Sequence, residues 1–378
     1  MRGPDEPAPV YLMGGARVGN SGRRFRRTRR LRKAQRGVVA VIGTLLALLV
    51  FFALFGIFLT QYVPLWMTDN ESQFTSQAAT SFAQLKSYVD SQYLSGGPAV
   101  YGTPFTISSQ GIPLLAQPTE GTLVFIPSTC PGGFYSKGVT GATSSNYGQP
   151  VVPTFCVFQN ISLSTGPSGS AMYSQHVESG VLEMVLPNRY YTGQTFYYED
   201  DGVIQSQGGA QQIMLVPPPF NVTTVGTNTS VTTSFLQLYG NATTIIGQGS
   251  EQVFSHLRYT QTVASNGKMK NGIVQVDTLN VTFEVGTQNP CAWEHQLWAQ
   301  MNVSGMTYKL NPTKGSTQPT YNWTSEAAPF TATAGSGVNL ACSVPNGQTT
   351  IIALNMHSVD YASVFYAGVQ FSLGVGGT

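Results

Sequence analysis

"RRLRKAQRGVVAVIGTLLALLVFFALFGIFL", Arg29 to Leu59, sets a dense run of positive charge against a long run with none. From Val38 to Leu59 there are 22 consecutive uncharged residues, and Thr44 alone among them carries a hydrogen-bonding side-chain group. A helix of that length reaches about 33 Å, enough to cross the hydrocarbon core of a bilayer. The apolar core of a cleavable secretory signal is shorter, about 7–15 residues, and ends at a small-x-small site that does not follow here. "SGRRFRR" also lacks the surroundings of a twin-arginine export signal. The run therefore reads as a retained membrane helix.

Its flanks give it a direction. Eleven of the 19 basic residues precede Gly37, which leaves eight in the rest of the chain against fifteen acids. Positive charge stays on the cytoplasmic side of a membrane helix, so the arm is expected in the cytoplasm and everything beyond Gln61 outside. Tyr62 and Trp66 fall where an outer aromatic belt would lie. The mildly acidic body is a poor match for nucleic acid. Only 10% of residues are charged, well below the quarter or so usual in soluble chains, so uncharged polar residues must keep the surface wet.

Helical periodicity continues past the apolar run. Phe74, Ala78, Phe82, Leu85, Val89 and Tyr93 recur at steps of four, four, three, four and four, with polar residues between them, until "SGGP" at 95–98. Pro64 is expected to kink the junction, and "TDNES" to restart the helix. This amphipathic piece is either a juxtamembrane stalk or one half of a long helix on which a second domain packs. The chain thus divides into a basic leader over 1–37, a transmembrane helix running on into an amphipathic one over 38–94, and an extracellular domain over 95–378.

That last region reads as β throughout. Leu279, Val281, Phe283 and Val285 alternate with polar residues, as do Val369, Phe371, Leu373 and Val375. Half-buried strands separated by Gly, Pro and Asn imply a mainly antiparallel, sandwich-like ectodomain. "FYYEDDGVIQSQGGAQQIMLVPPPF", Phe196 to Phe220, reads as a strand, a Gly208-Gly209 turn and a second strand. The prolines at 217–219 cannot pair in a ladder, so they mark either a sub-domain boundary near 217–220 or a corner where the chain changes sheet.

Cysteines and glycosylation sequons agree with an extracellular body. Cys130, Cys156, Cys291 and Cys342 all follow the membrane run, an even number that suits disulfides. Three pairings are open, and 130–156 with 291–342 closes the shortest loops. The absence of CxxC spacing argues against zinc. Eight of the 18 asparagines sit in N-x-S/T sequons, all beyond the membrane run: Asn70, Asn160, Asn221, Asn228, Asn241, Asn280, Asn302 and Asn322. Asn280 is expected on the polar face of its strand, where a glycan is tolerated.

No catalytic motif stands out. GxSxG, HExxH and P-loop patterns do not occur, and the four histidines are scattered. Glu199, Asp200 and Asp201 form the densest acidic cluster, a set that could bind Ca²⁺ or supply a glycosidase carboxylate. Because three adjacent acids on a strand cannot all face one site, they read instead as the solvated flank of a hairpin. Cys291-Ala-Trp-Glu-His295 reads as a disulfide beside a packed aromatic. The expectation is a protein without cofactor or metal that is not an enzyme.

"QRGVVAVIGTLLALL", Gln35 to Leu49, resembles the class III signal segment of archaeal type IV pilin-like proteins, in which a basic residue and Gly precede V-S-P-V-I-G and an apolar helix. Arg36 and Gly37 match the residues before the scissile bond, and Val38 the mature N-terminus. Val41, Ile42 and Gly43 match V-I-G, while Val39 and Ala40 stand where the pattern has Ser and Pro. The same stretch is similar to bacterial Tad-type pseudopilins. Phe196 to Phe220 resembles the Y-E-N-G-A-V…P-P-F stretch of archaeal pilin-like proteins of the uncharacterised DUF7289 type.

The resemblance implies a prepilin peptidase that cuts after Gly37. It implies a filament-core helix through Val41, Ile42, Gly43, Leu45, Leu49, Phe52 and Phe55, with assembly machinery and like subunits as partners. It also implies an outer β-domain making adhesive contacts, possible surface glycans among them. The alternatives are a single-pass surface-binding protein that does not assemble and a membrane-tethered hydrolase.

Overall fold

The computed structural model describes residues 24–97, 99–130, 156–165, 171–208, 211–226, 228–266, 269–270, 273–274, 279–308, 320–327, 330–331 and 350–374. The chain divides into two compact units, 1–62 and 63–378.

The first unit is helical where it is described. Helix α1 (Arg24–Ile57) ends in a single π-helical turn over Phe58–Tyr62. Thr44 Oγ1 donates to the Val41 carbonyl at 2.9 Å, so the one hydrogen-bonding side chain of the apolar run is satisfied inside its own helix. Pro64 has no N–H for the carbonyl four residues before it, and a turn of i→i+5 bonding just ahead of it is how a helix absorbs that loss. Arg36 and Gly37 lie within α1 and are themselves in helix.

The second unit opens with α2 (Val63–Ser95), followed by β1 (Val100–Thr106), β2 (Gly121–Ile126), β3 (Val157–Thr165), β4 (Ala171–Ser179), β5 (Val181–Leu186), β6 (Gln194–Glu199), β7 (Gly202–Gln207), β8 (Gln211–Val216), β9 (Phe220–Val225) and β10 (Asn228–Tyr239). Then come β11 (Thr243–Gly247), β12 (Ser250–Asn266), β13 (Met269–Lys270), β14 (Ile273–Val274), β15 (Leu279–Thr287), α3 (Pro290–Val303), β16 (Thr307–Tyr308), β17 (Thr320–Ala327), β18 (Phe330–Thr331), β19 (Thr350–Val359) and β20 (Tyr361–Leu373).

Three sheets carry the fold. One runs β1-β12-β20-β10-β9, a second β11-β2-β5-β6-β7-β8, and a third β16-β17-β19-β15-β3-β4 with β18 on β17. Pairing is antiparallel except for β10 with β20 and β16 with β17. The first sheet is shared by two cores. Val364 and Tyr366 of β20 join one core with Val281, Phe283 and Val285 of β15, whereas Ala367, Val369 and Phe371 join the other with α2 and β2. Even and odd positions of a strand face opposite ways, so one long strand serves both layers.

The apolar seam of α2 lies in that second core. Phe74, Ala78, Phe82, Leu85 and Val89 are buried there, and Tyr93 packs against it. Phe82 meets Phe105 edge-on at 5.1 Å and stacks on Phe196 at 5.8 Å. The amphipathic piece is thus the helix of the β-domain and not a stalk, which moves the domain's start from residue 95 to Val63.

One further expectation changes and one open alternative closes. The region after 98 is not β throughout, because Pro290 opens the 14-residue helix α3. Pro is favoured in a first turn, and the aromatic and cysteine residues that obscured the period are those that α3 buries. The prolines at 217–219 are a corner: β8 belongs to the second sheet and β9 to the first.

Candidate functional site

The expected filament-core residues line α1 and share one property. Val41, Ile42, Leu45, Leu49, Phe52 and Phe55 are all exposed, and a Cβ on Gly43 would meet nothing within 4 Å. Exposed large apolar side chains run from Val39 to Ile57, and they lie in the one helix among the described residues, Val39–Ser95, that is long and apolar enough to cross a membrane. A helix apolar all round demands lipid or other apolar helices as its surroundings. Arg36, Gly37 and Val38 lie in the helical backbone of α1.

Across α2, three buried polar side chains fix the helix to its domain. The Glu71 carboxylate accepts from Thr119 Oγ1 at 2.6 Å and from the backbone amides of Arg189, Tyr190 and Tyr191 at 3.0, 2.7 and 2.7 Å. Burial pushes its carboxyl up, but those four donors outweigh burial and hold it below the ordinary carboxylate value. Gln92 Nε2 donates to the Ala99 and Ser255 carbonyls at 2.9 and 2.7 Å. Lys86 Nζ sits 2.9 Å from Asp90 Oδ1 and 3.0 Å from Asp201 Oδ1.

Asp201 belongs to the acidic cluster, and here the structure overturns the expectation of a solvated flank. Glu199, Asp200 and Asp201 are all buried, at 0%, 1% and 0% exposure. Glu199 ends β6 and pairs with Gly202, so Asp200 and Asp201 are the two central residues of a tight hairpin, with φ of 45° and 64°. Two residues with positive φ form the type I′ turn that matches strand twist, and Asp is among the few side chains that tolerate it. The alternation rule for strands does not govern a turn, so the three carboxyls separate.

Glu199 accepts from Thr287 Oγ1, from Asn289 Nδ2 at 3.3 Å and from Trp293 Nε1 at 3.0 Å. Asp201 accepts from Tyr198 Oη at 2.9 Å and Ser234 Oγ at 3.4 Å besides Lys86. Desolvation pushes Asp201 up to about 6 against the pull of Lys86, and also raises Glu199. Neither carboxyl oxygen of Asp200 has a hydrogen-bond partner among the described residues, and burial beside its two acidic neighbours pushes that group well above the ordinary carboxylate range. The turn therefore ties α2 on one side to β15 and the start of α3 on the other. Among the described residues, no group of three His, Cys, Asp or Glu side chains is arranged to hold a metal.

Cys130 and Cys156 form a disulfide, with Cα atoms 4.6 Å apart. Cys291 is disulfide-bonded too, while Cys342 lies outside the described residues. Trp293 is fully buried beside it, as a packed aromatic should be. Of the sequons, Asn221, Asn228, Asn241 and Asn302 are exposed. Asn280 does fall on the less buried face of β15, with His357 Nδ1 3.0 Å from its Oδ1. Asn70 is half-buried and donates to the Gln110 carbonyl at 2.9 Å. Asn160 is a correction: it is 8% exposed and its amide nitrogen is 2.7 Å from Glu284 Oε2, so it presents no amide for a glycan. The side chain of Asn322 lies outside the described residues.

A cleft of about 370 Å³ is lined by amide and hydroxyl groups, among them Gln194, Thr195, Ser206, Gln212 and Asn289, with Tyr197 beside them. No protein-family model matches the chain, nor does any curated protein or solved structure.

Proposed function

We propose that this chain is a membrane-inserted subunit or minor subunit of an archaeal type IV pilin-like surface filament. The observation that carries the reading is an asymmetry along the helical region. The seam of α2 is buried by the chain's own sheets, whereas the large apolar side chains from Val39 to Ile57 are left exposed among the described residues. A peptidase cutting after Gly37 on the cytoplasmic side removes the basic arm and leaves a helix that lipid solvates first and neighbouring helices later. That exchange is physically even, because packed helices and lipid tails satisfy the same apolar side chains. The β-domain then forms the outer surface, with its disulfides and exposed sequons outside the cell and subunit, cell or glycan contacts on its face.

N-terminal sequencing of the mature protein tests processing. A chain starting at Val38 agrees with the proposal, and one starting at Met1 or Arg2 overturns it. Electron microscopy of cells carrying Gly37→Trp tests assembly: filaments present in the parent should vanish in the variant. A processed chain found only as membrane monomers leaves the alternative of a single-pass surface-binding protein.

A further inference from the structure

Two loops of the β-domain converge on the first turns of α2, and both carry apolar side chains into solvent. The first is a tight turn in which Ile112 and Ala116 bond each other's backbone. At its tip Leu114 has a φ of 65° and is fully exposed, with Leu115 at 37% beside it. The second loop carries Arg189, Tyr190 and Tyr191, the tyrosines at 44% and 36% exposure. Neither position is accidental. Asn70 Nδ2 holds the Gln110 carbonyl at 2.9 Å, Thr68 Oγ1 reaches the Tyr190 carbonyl at 3.3 Å, and Glu71 takes three consecutive amides of the second loop. On α2 itself, Leu65 and Trp66 are exposed at 65% and 46% in the turn before these contacts.

We propose that these six side chains, Leu65, Trp66, Leu114, Leu115, Tyr190 and Tyr191, form a collar that seats the β-domain on the outer surface of the bilayer, at the boundary between headgroups and acyl chains. The inference rests on the reading that Val38–Leu59 spans the membrane. Leu65 is six positions on from Leu59, so chain connectivity alone keeps it within about 20 Å of the span's end. Tyr, Trp and the neighbouring Arg189 suit such a boundary because they bury a ring or stem and keep a polar tip in water, while the leucines add side chains that the acyl region solvates. Asp69, also exposed, lies one helical turn further from the apolar run than Leu65. An aqueous surface would leave Leu114 as an unrewarded apolar tip on a turn held in place by backbone bonds and a left-handed residue. A lipid surface gives those features a common reason.

The test uses the full chain in vesicles of phosphatidylcholine and phosphatidylglycerol, with an environment-sensitive fluorophore on single introduced cysteines. Leu114→Cys and Tyr190→Cys probe the two loops separately, Phe52→Cys probes the span, and Val225→Cys probes an exposed position on another hairpin. Retained thermal unfolding transitions identify labelled chains that are folded. The expected result is strong quenching at 114 and 190 by lipids with a shallow spin label, strong quenching at 52 by a deep label, and none at 225. Quenching at 52 with loop probes that behave like 225 overturns the collar and leaves the span standing. No quenching at 52 removes the span and the collar with it. A blue-shifted loop emission that disappears on dilution to one chain per vesicle assigns the patch to contacts between copies and also overturns the proposal.

Discussion

Lys86 Nζ lies 3.0 Å from Asp201 Oδ1 inside the domain, with 4% and 0% of the two side chains exposed. One belongs to the helix that follows the apolar run and the other to the turn of a hairpin more than a hundred residues later in the chain. The pair joins a helix to a turn that sheet pairing alone would leave unconnected to it.

Removing one partner of a buried pair leaves an uncompensated charge, so Lys86→Met should cost about 3–5 kcal/mol in thermal or denaturant unfolding. Lys86→Met with Asp201→Asn should recover most of that loss. The pH dependence has a definite sign. Asp201 is raised from its ordinary value to about 6, so its contribution is fully present below about pH 3.8 and falls away as pH rises through 6. Without Lys86 that fall should deepen, and unfolding midpoints of Lys86→Met measured at pH 5 and pH 8 should differ by more than those of the parent.

Glu71 runs the other way. Its folded value lies below the ordinary one, so the stability it contributes is present above about pH 4.5 and is lost as pH falls through the lower value. Glu71→Gln should cost about 1.5–3 kcal/mol, the worth of hydrogen bonds to a charged group. Hydrogen exchange at the amides of Arg189, Tyr190 and Tyr191 is the direct check, and it should accelerate in Glu71→Gln more than elsewhere.

Phe82 is the aromatic centre of the α2 seam, against Phe105 and Phe196. Phe82→Ala should cost about 3–5 kcal/mol by cavity formation. Limited proteolysis within 63–95 should then become faster, since α2 is the element released. A result in which the β-domain loses stability while α2 stays protected would contradict the placement of this ring.

Reduction should also be felt. The Cys130–Cys156 disulfide closes a separation of 26 residues. On chain-entropy grounds its loss is worth about 3–4 kcal/mol, read as a lower unfolding midpoint for Cys130→Ser/Cys156→Ser against the parent.

Much of this was legible in the residues because local period and local burial coincide. The apolar run from Val38 to Leu59 needs no tertiary context, and the steps between Phe74 and Tyr93 name the face of α2 that is buried. Leu279 to Val285 alternate as they do because one side of β15 meets a core. Helix α3 was missed because its buried residues, Cys291, Trp293, Leu297 and Met301, lie in a short segment between strands. Asn160 carries an intact sequon yet is buried, since a sequon records three residues and nothing of the strands beside them.

The sequence by itself determined the apolar run, the periodic face of α2, the strand-rich body and the separation of charge between the residues before Gly37 and those after it. Each follows from side chains a few positions apart. Only the tertiary structure decided that α2 belongs to the β-domain, that the prolines at 217–219 turn the chain from one sheet to another, and that Glu199, Asp200 and Asp201 are buried. The burial of Glu199 and Asp201 depends on Lys86, Thr287, Asn289 and Trp293, which come from distant parts of the chain, and on the left-handed turn that takes Asp200 and Asp201 out of strand geometry. No local pattern carries that information, because a buried carboxyl is tolerated only where remote donors meet its charge, as at Glu199 and Asp201, or where burial holds it protonated, as at Asp200.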